Sequence, residues 1–199
     1  METLKPSNPP TMFESIVNHY PDFPKPGIDF IDVLPFLQDK MAFSQAVDRL
    51  AELCSAPNIA TVEARGFLFS APLLVKASHV QSIVAIRKKG KLPYAEGDLR
   101  SVCIEKEYGH DEVFYRLSDL AACAHEGDVI ELTLLDDLLA TGGTAFGIAQ
   151  ALNGEMVSGC RVRVKEFLFL VELTDLQGRA LLEKIAPVKS LMQIGGTEC

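Results

Sequence analysis

Val129-Ile130-Glu131-Leu132-Thr133-Leu134-Leu135-Asp136-Asp137-Leu138-Leu139-Ala140-Thr141-Gly142-Gly143-Thr144 is the stretch that decides how this chain is read. The turn Glu126-Gly127-Asp128 leads into an apolar run, Val129 to Leu135, that reads as a strand. Thr144 to Asn153 reads as a helix ended by Gly154. Between them, Leu135 to Thr144 is expected as a loop. Two glycines and two threonines at such a turn direct several backbone N–H groups at one point, and the helix N-terminus adds partial positive charge. The hydroxyls of Thr141 and Thr144 can add hydrogen bonds. Two acids beside an anion cradle repel a bare anion, but they suit a ligand that also carries hydroxyls, because a carboxylate accepts two hydrogen bonds from a vicinal diol. Gly142 and Gly143 thus mark a phosphate side, and Asp136 and Asp137 a ribose side. Taken alone, Thr-Gly-Gly-Thr fits a helix cap flanked by two solvated acids as well. The strand, the double acid and the helix start together favour the ligand.

Outward from this segment, strands alternate with helices. Phe43 to Cys54 places Ala46, Val47, Leu50, Leu53 and Cys54 at helical spacing. Ile59 to Val62 and Val80 to Ile86 read as strands, and Phe67 to Ala77 as a helix interrupted early by Pro72. Ser101 to Glu107 and Asp111 to Leu117 are rich in β-formers and flank Tyr108-Gly109-His110. Val162 to Glu172 is the last long strand, and Leu176 to Lys184 a short helix; Phe13 to His19 is a further short helix, preceded by a loose tail. The alternation implies an α/β fold with a mostly parallel sheet, in which ligands sit beyond the carboxyl ends of the strands.

The 199 residues suit a single domain with a sizeable core. A net charge of −8 makes the chain a poor general binder of nucleic acid, so any anion must be held by local features. Five cysteines, an odd number with no C-x-x-C pair, argue against a disulfide framework or a zinc site and for a reducing compartment. Met1 to Pro10 lacks the apolar stretch of a signal peptide, and no apolar run approaches the ~20 residues of a membrane span. A cytoplasmic location with no membrane partner is the expectation.

The other strand ends carry charge as well. Arg65-Gly66 follows one strand, so that an arginine fork can reach a pair of phosphate oxygens while Gly66 lets the backbone approach. Arg87, Lys88, Lys89 and Lys91 form a basic knot after the next. A charge run is usually a solvated face; beside a phosphate cradle, binding of an anion is the better reading. Leu92 to Glu107, with Pro93 and Glu96-Gly97-Asp98, has the makings of a lid. Glu107 lies near its return point; from the residues alone it reads as an exposed strand-edge carboxylate, although a glutamate there could exchange a proton once water is excluded. His19, His79, His110 and His125 are scattered and suggest no triad or metal site.

The quoted segment resembles the phosphoribosyl-pyrophosphate motif of the type I phosphoribosyltransferases, and its wording Asp136-Asp137-Leu138-Leu139-Ala140-Thr141-Gly142-Gly143-Thr144 resembles the adenine-specific members. Further pieces resemble the same family in the same order: Pro21 to Phe30 its base-binding hood, Glu63-Ala64-Arg65-Gly66-Phe67 its pyrophosphate loop, Ile86 to Pro93 its basic loop, Glu107-Tyr108-Gly109 the tip of its catalytic loop, and Val171 to Leu176 with Gly178-Arg179 its C-terminal end. Together they cover roughly residues 13–192.

The resemblance implies a central, mostly parallel five-stranded sheet flanked by helices, with a small hood at about 13–40 and a flexible loop at about 91–112. These form one domain, residues 13–199, after a flexible tail at 1–12. It implies a purine salvage enzyme that joins adenine to 5-phosphoribosyl 1-pyrophosphate and yields AMP and pyrophosphate. Magnesium would be bound mainly through the substrate phosphates, with no protein metal site, and the chain would form a homodimer. Glu107 and Arg87 would be catalytic. Asp136, Asp137, Ala140, Thr141, Gly142, Gly143 and Thr144 would hold the ribose-phosphate. Arg65, Arg87, Lys88, Lys91 and Tyr108 would hold pyrophosphate. Phe30 would stack on adenine, the backbones of Asp29 and Ile31 would bind its polar edge, and Leu173 would close the far side. Two hood positions depart from the family: Phe30-Ile31-Asp32 stands where Phe-Arg-Asp is usual, and Asp29 where an apolar residue is usual. A transferase of another purine, or a non-catalytic binder of phosphoribosyl pyrophosphate, remains an alternative. A dinucleotide-binding dehydrogenase does not, since no G-x-G-x-x-G follows the first strand.

Overall fold

The computed structural model describes residues 13–105 and 110–195. The chain divides into two compact units between Ala46 and Val47. In the first, strands β1 (Asn18–Tyr20) and β2 (Phe30–Asp32) pair antiparallel, with His19 opposite Ile31. Phe13 to Val17 forms a turn and not the expected helix: Ile16 N–H donates to Phe13 C=O at 3.1 Å, and the chain then extends into β1. The β1–β2 connection is held by Gly27 N–H donating to Asp22 Oδ1 at 2.7 Å, with Gly27 at φ +84°, and by a hydrogen-bond contact of His19 Nδ1 with Asp29 Oδ2 at 2.7 Å. Phe23 meets the Phe30 ring edge-on, with centroids 5.3 Å apart. Helix α1 (Lys40–Leu53) starts three residues before the periodic run from Phe43 because Asp39 caps it, Oδ1 accepting from the amides of Met41 (2.9 Å) and Ala42 (3.0 Å).

The second unit contains a sheet built from β3 (Asn58–Val62), β4 (Ser82–Lys88), β5 (Leu99–Glu105), β6 (His110–Arg116), β7 (Val129–Leu139), β8 (Met156–Val157), β9 (Cys160–Leu173) and β10 (Val188–Ile194). Its order is β10-β9-β7-β3-β4-β6-β5, with β8 paired to β9. The five strands from β10 to β4 are all parallel, as expected; β5 and β6 extend the sheet as an antiparallel hairpin, joined to β4 at Arg87↔Phe114 and Lys88↔Val113. Helices α2 (Arg65–Lys76), α3 (Leu117–Ala121), α4 (Gly143–Asn153) and α5 (Gly178–Leu182) complete the unit. α2 runs through Pro72 without a break. α4 buries Ala145, Ile148, Ala149 and Leu152, the i, i+3, i+4, i+7 stripe of a core-facing helix.

β3 is buried at every residue, as a central parallel strand is. Its polar first residue, Asn58, is satisfied: Nδ2 donates to Ala124 O (2.7 Å) and Glu131 O (3.0 Å), and Oδ1 accepts from Ala124 N–H (2.9 Å) and Ser82 Oγ (2.8 Å). The β7–β9 register shifts between Leu132 and Thr133, which face Val164 and Glu166, so Lys165 is the extra residue of a bulge. Buried Glu166 accepts from Thr133 Oγ1 (2.8 Å), Ser55 N–H (2.6 Å), Ser55 Oγ (2.8 Å) and Lys189 Nζ (2.6 Å). β10 has no counterpart among the strands read from the sequence. Within residues 153–163, β8 and the start of β9 form a hairpin, pairing Met156 with Arg161 and turning at Ser158 (φ +53°) and Gly159 (φ +82°), as a two-residue type I′ turn requires.

Candidate active site

The carboxyl ends of β3, β4, β7 and β9 deliver the predicted residues of the second unit. β7 extends to Leu139, pairing Asp136 with Phe169 and Leu139 with Glu172. The two aspartates therefore belong to the strand, and the expected loop from Leu135 shortens to Ala140–Gly142. Apolar neighbours on β9 account for this: the ladder continues wherever a partner strand does. Gly142 at φ +81° precedes α4, and its carbonyl accepts from Phe146 N–H at 2.9 Å. Only glycine adopts that backbone conformation freely. The turn encloses a cavity of about 150 Å³ lined by Asp136, Ala140, Thr141, Gly142, Gly143 and Thr144 among others. An added Cβ on Gly143 would meet nothing within 4 Å, which leaves its backbone open to a ligand.

Asp136 and Asp137 differ in surroundings. Asp136 lines the cavity, and its Oδ1 accepts from the Asp137 amide at 2.9 Å. Asp137 is buried, and its Oδ2 lies 2.9 Å from Arg65 Nε in an ion pair that lacks hydrogen-bond alignment. Burial, then the charge of Asp137, pushes the Asp136 carboxyl well above the usual carboxylate range. Burial also raises Asp137, with Arg65 opposing it. Each carboxylate is thus held where its negative charge is disfavoured, and each gains if positive charge appears beside it.

Arg65 and Gly66 open α2, after a cis peptide between Glu63 and Ala64. A Cβ on Gly66 would lie 2.5 Å from Thr61 Oγ1 and 3.2 Å from Asp136 Oδ1, so only glycine lets the helix start against the ends of β3 and β7. Arg87 and Lys88 are the last residues of β4, not loop residues, while Lys91 follows in the exposed turn. Arg87 Nε pairs with a Glu63 oxygen, Lys88 N–H donates to Glu63 Oε1 at 2.8 Å, and the Arg87 guanidinium lies 5.7 Å from the Phe67 ring centroid. Burial pushes the Glu63 carboxyl up, but the Arg87 and Lys88 hydrogen bonds and charges hold it below its ordinary value overall. In the sequence, the one signal for Glu63 is a carboxylate at a strand end ahead of a basic knot. A second cavity, of about 260 Å³, is lined by Lys88, Lys89, Leu92, Tyr94 and Phe114, away from the cradle residues. Beyond it, β5 takes Leu99–Glu105 out of the stretch expected as an irregular lid.

Leu173 is the half-buried last residue of β9. Asp29, Phe30 and Ile31 lie together on and just before β2 in the first unit. Ile31 is 1% exposed, which explains an apolar residue there and leaves the backbone as its polar contribution. Glu107 and Tyr108 lie outside the described residues. Among the described residues, no group of three or more His, Cys, Asp or Glu side chains is arranged to hold a metal ion.

No family model matches the chain. It is 39% identical over 183 residues to the adenine phosphoribosyltransferase of Maridesulfovibrio salexigens, covering 89% of this chain and 96% of the relative. It is 37% identical to that of Roseiflexus sp., covering 92% and 98%. The crystal structure of adenine phosphoribosyltransferase from Thermoanaerobacter pseudethanolicus superposes with a TM-score of 0.77 at 36% identity, covering 92% of this chain and 98% of that one. With an α/β fold, a glycine turn at the end of an acidic strand and relatives that match over most of their length, the chain belongs to the adenine phosphoribosyltransferase family.

Proposed function

We propose that the chain transfers the phosphoribosyl group of 5-phosphoribosyl 1-pyrophosphate to adenine, giving AMP and pyrophosphate. The observation that carries this is the turn Ala140–Thr144 at the N-terminus of α4, directly beyond Asp136 and Asp137. In this reading the 5-phosphate takes the backbone N–H groups of Gly142, Gly143 and Thr144 and the threonine hydroxyls. Asp136 and Asp137 flank the ribose. As pyrophosphate leaves, the ribose gains oxocarbenium character, and two carboxylates whose charge is disfavoured in the free protein favour that state over the ground state. Arg65, Arg87, Lys88, Lys91 and Tyr108 hold the departing anion. Glu107 exchanges a proton with the base, which Phe30, the Asp29 and Ile31 backbones and Leu173 hold. Magnesium, held mainly through the substrate phosphates, would offset their charge.

A homodimer and a cytoplasmic location belong to the same proposal. Exposed Leu74 and Val75 on α2 offer apolar surface for a second copy. The four described cysteines are free, which suits a reducing compartment. No described helix is long and apolar enough to cross a membrane.

The test is to incubate the protein with phosphoribosyl pyrophosphate, magnesium and each purine base in turn, and to quantify nucleotide. AMP from adenine is expected. Binding of phosphoribosyl pyrophosphate without product from any base refutes the catalytic reading, and product from guanine or hypoxanthine alone refutes the choice of adenine.

A further inference from the structure

Gly178 stands apart from the glycines that serve turns. It is buried, and a Cβ built on it would lie 2.1 Å from the Ala140 carbonyl oxygen, 2.8 Å from Leu139 Cδ1 and 3.0 Å from the Gly142 nitrogen. The contact is reciprocal: a Cβ on Gly142 would lie 3.0 Å from the Gly178 carbonyl oxygen and 3.3 Å from Leu182 Cγ. The first turn of α5 is therefore pressed against the backbone of the cradle itself.

An ion pair between half-buried Arg179 and buried Glu172 holds α5 there. Arg179 Nε donates to Glu172 Oε1 at 2.8 Å and Nη2 to Glu172 Oε2 at 2.5 Å, while Nη1 donates to Val188 O at 2.6 Å. Glu172 Oε2 also accepts from Ser190 Oγ at 2.7 Å and Gln193 Nε2 at 3.1 Å. Glu172 is 3% exposed and faces Leu139 across the β7–β9 ladder, at the last pair before the cradle. A forked guanidinium on a buried carboxylate fixes direction as well as distance.

We propose that Gly178, fixed by the Glu172–Arg179 pair, is a positioning residue that sets the shape of the Ala140–Gly142 turn and thereby the affinity for the phosphoribosyl donor. This rests on the reading of that turn as the 5-phosphate site. A side chain at Gly178 displaces the Ala140 carbonyl and the Gly142 N–H by the better part of an ångström, and a shift of that size in a binding turn weakens the aligned donors about 10- to 100-fold.

The experiment compares Gly178→Ala, Arg179→Lys and wild type by steady-state kinetics and by calorimetric titration with phosphoribosyl pyrophosphate. A control, Glu166→Gln, disturbs another buried carboxylate on the same strand, roughly 20 Å back along β9 at about 3.3 Å per residue. The expected result is a rise of about tenfold or more in KM and Kd for phosphoribosyl pyrophosphate in both variants, with KM for adenine unchanged. Glu166→Gln lowers Tm and leaves the donor KM within about twofold, as expected for distant sites. Should Gly178→Ala fail to fold, Arg179→Lys, which keeps the charge and loses the fork, decides. Unchanged donor affinity in folded variants overturns the inference alone, as does a donor KM in Glu166→Gln that rises equally. Wild type that binds no phosphoribosyl pyrophosphate overturns the phosphate-site reading and the inference together.

Discussion

Replacing Gly66 by alanine tests how tightly the first turn of α2 is set against the strand ends. The new Cβ would lie 2.5 Å from Thr61 Oγ1, about 1 Å inside ordinary contact, and Thr61 is a fully buried, β-branched residue with little freedom to swing away. Overpacking of this kind costs about 1–3 kcal/mol. For a chain of this size each kcal/mol appears as about 2–4 °C in Tm, so a fall of roughly 2–12 °C is expected. Relief by a shift of α2 carries Arg65 with it and disturbs its 2.9 Å pair with Asp137, and a displacement near 1 Å lowers kcat/KM about 100-fold. Thr61 Oγ1 is buried without a hydrogen-bond partner among the described residues, so Thr61→Ala removes the clashing atom at no cost in hydrogen bonding. The double variant should recover most of the lost kcat/KM. Melting curves and steady-state kinetics on the four proteins of the cycle measure the coupling. Gly66→Ala that melts and turns over like wild type, or a double variant no better than the single, would refute the packing argument.

Three further changes read out the charges. Burial and the charge of Asp137 raise the folded-state pKa of Asp136, so its stabilising contribution is present in acid and lost as pH rises through that value. Asp136→Asn should therefore raise Tm at neutral pH and lose that gain in acid, while turnover falls about 100-fold; a lower Tm at neutral pH is the opposing result. Glu63 is depressed overall, so its contribution is present above the ordinary carboxylate pKa and lost as pH falls through the lowered value. Glu63→Gln should cost about 1–2 kcal/mol at neutral pH, weaken pyrophosphate binding and flatten the acid limb of Tm against pH, and an unchanged limb counts against the Glu63–Arg87 pairing. Asp29→Ala breaks an exposed pair with His19 and should cost under about 1 kcal/mol; its effect should appear in KM for adenine and not in that for phosphoribosyl pyrophosphate, and the reverse split contradicts a base-side role.

The parallel sheet was legible because its central strands are continuous apolar runs, and the cradle because Gly142 and Gly143 follow such a run. β10 was not, because Lys189, Ser190 and Gln193 spoil its pattern. The structure shows why they are there: they serve buried Glu166 and Glu172. β4 and β7 extend past their apolar runs, to Lys88 and Leu139, and the sequence hides this for a related reason. Arg87, Lys88, Asp136 and Asp137 look like loop residues by charge, yet a ladder with neighbouring strands carries them. Gly178 is visible only as part of a resemblance, since Leu139, Ala140 and Gly142, which it meets, are far away in sequence.

The Ser158-Gly159 turn offers a practical handle. It joins β8 to the amino end of β9, while the cradle lies beyond the carboxyl ends of the same sheet, about 40 Å away along a 14-residue strand. Tight hairpin tips of this kind accept added chain readily. A fluorophore or surface tether attached there would report on the protein, or immobilise it, with the ligand-binding end left free.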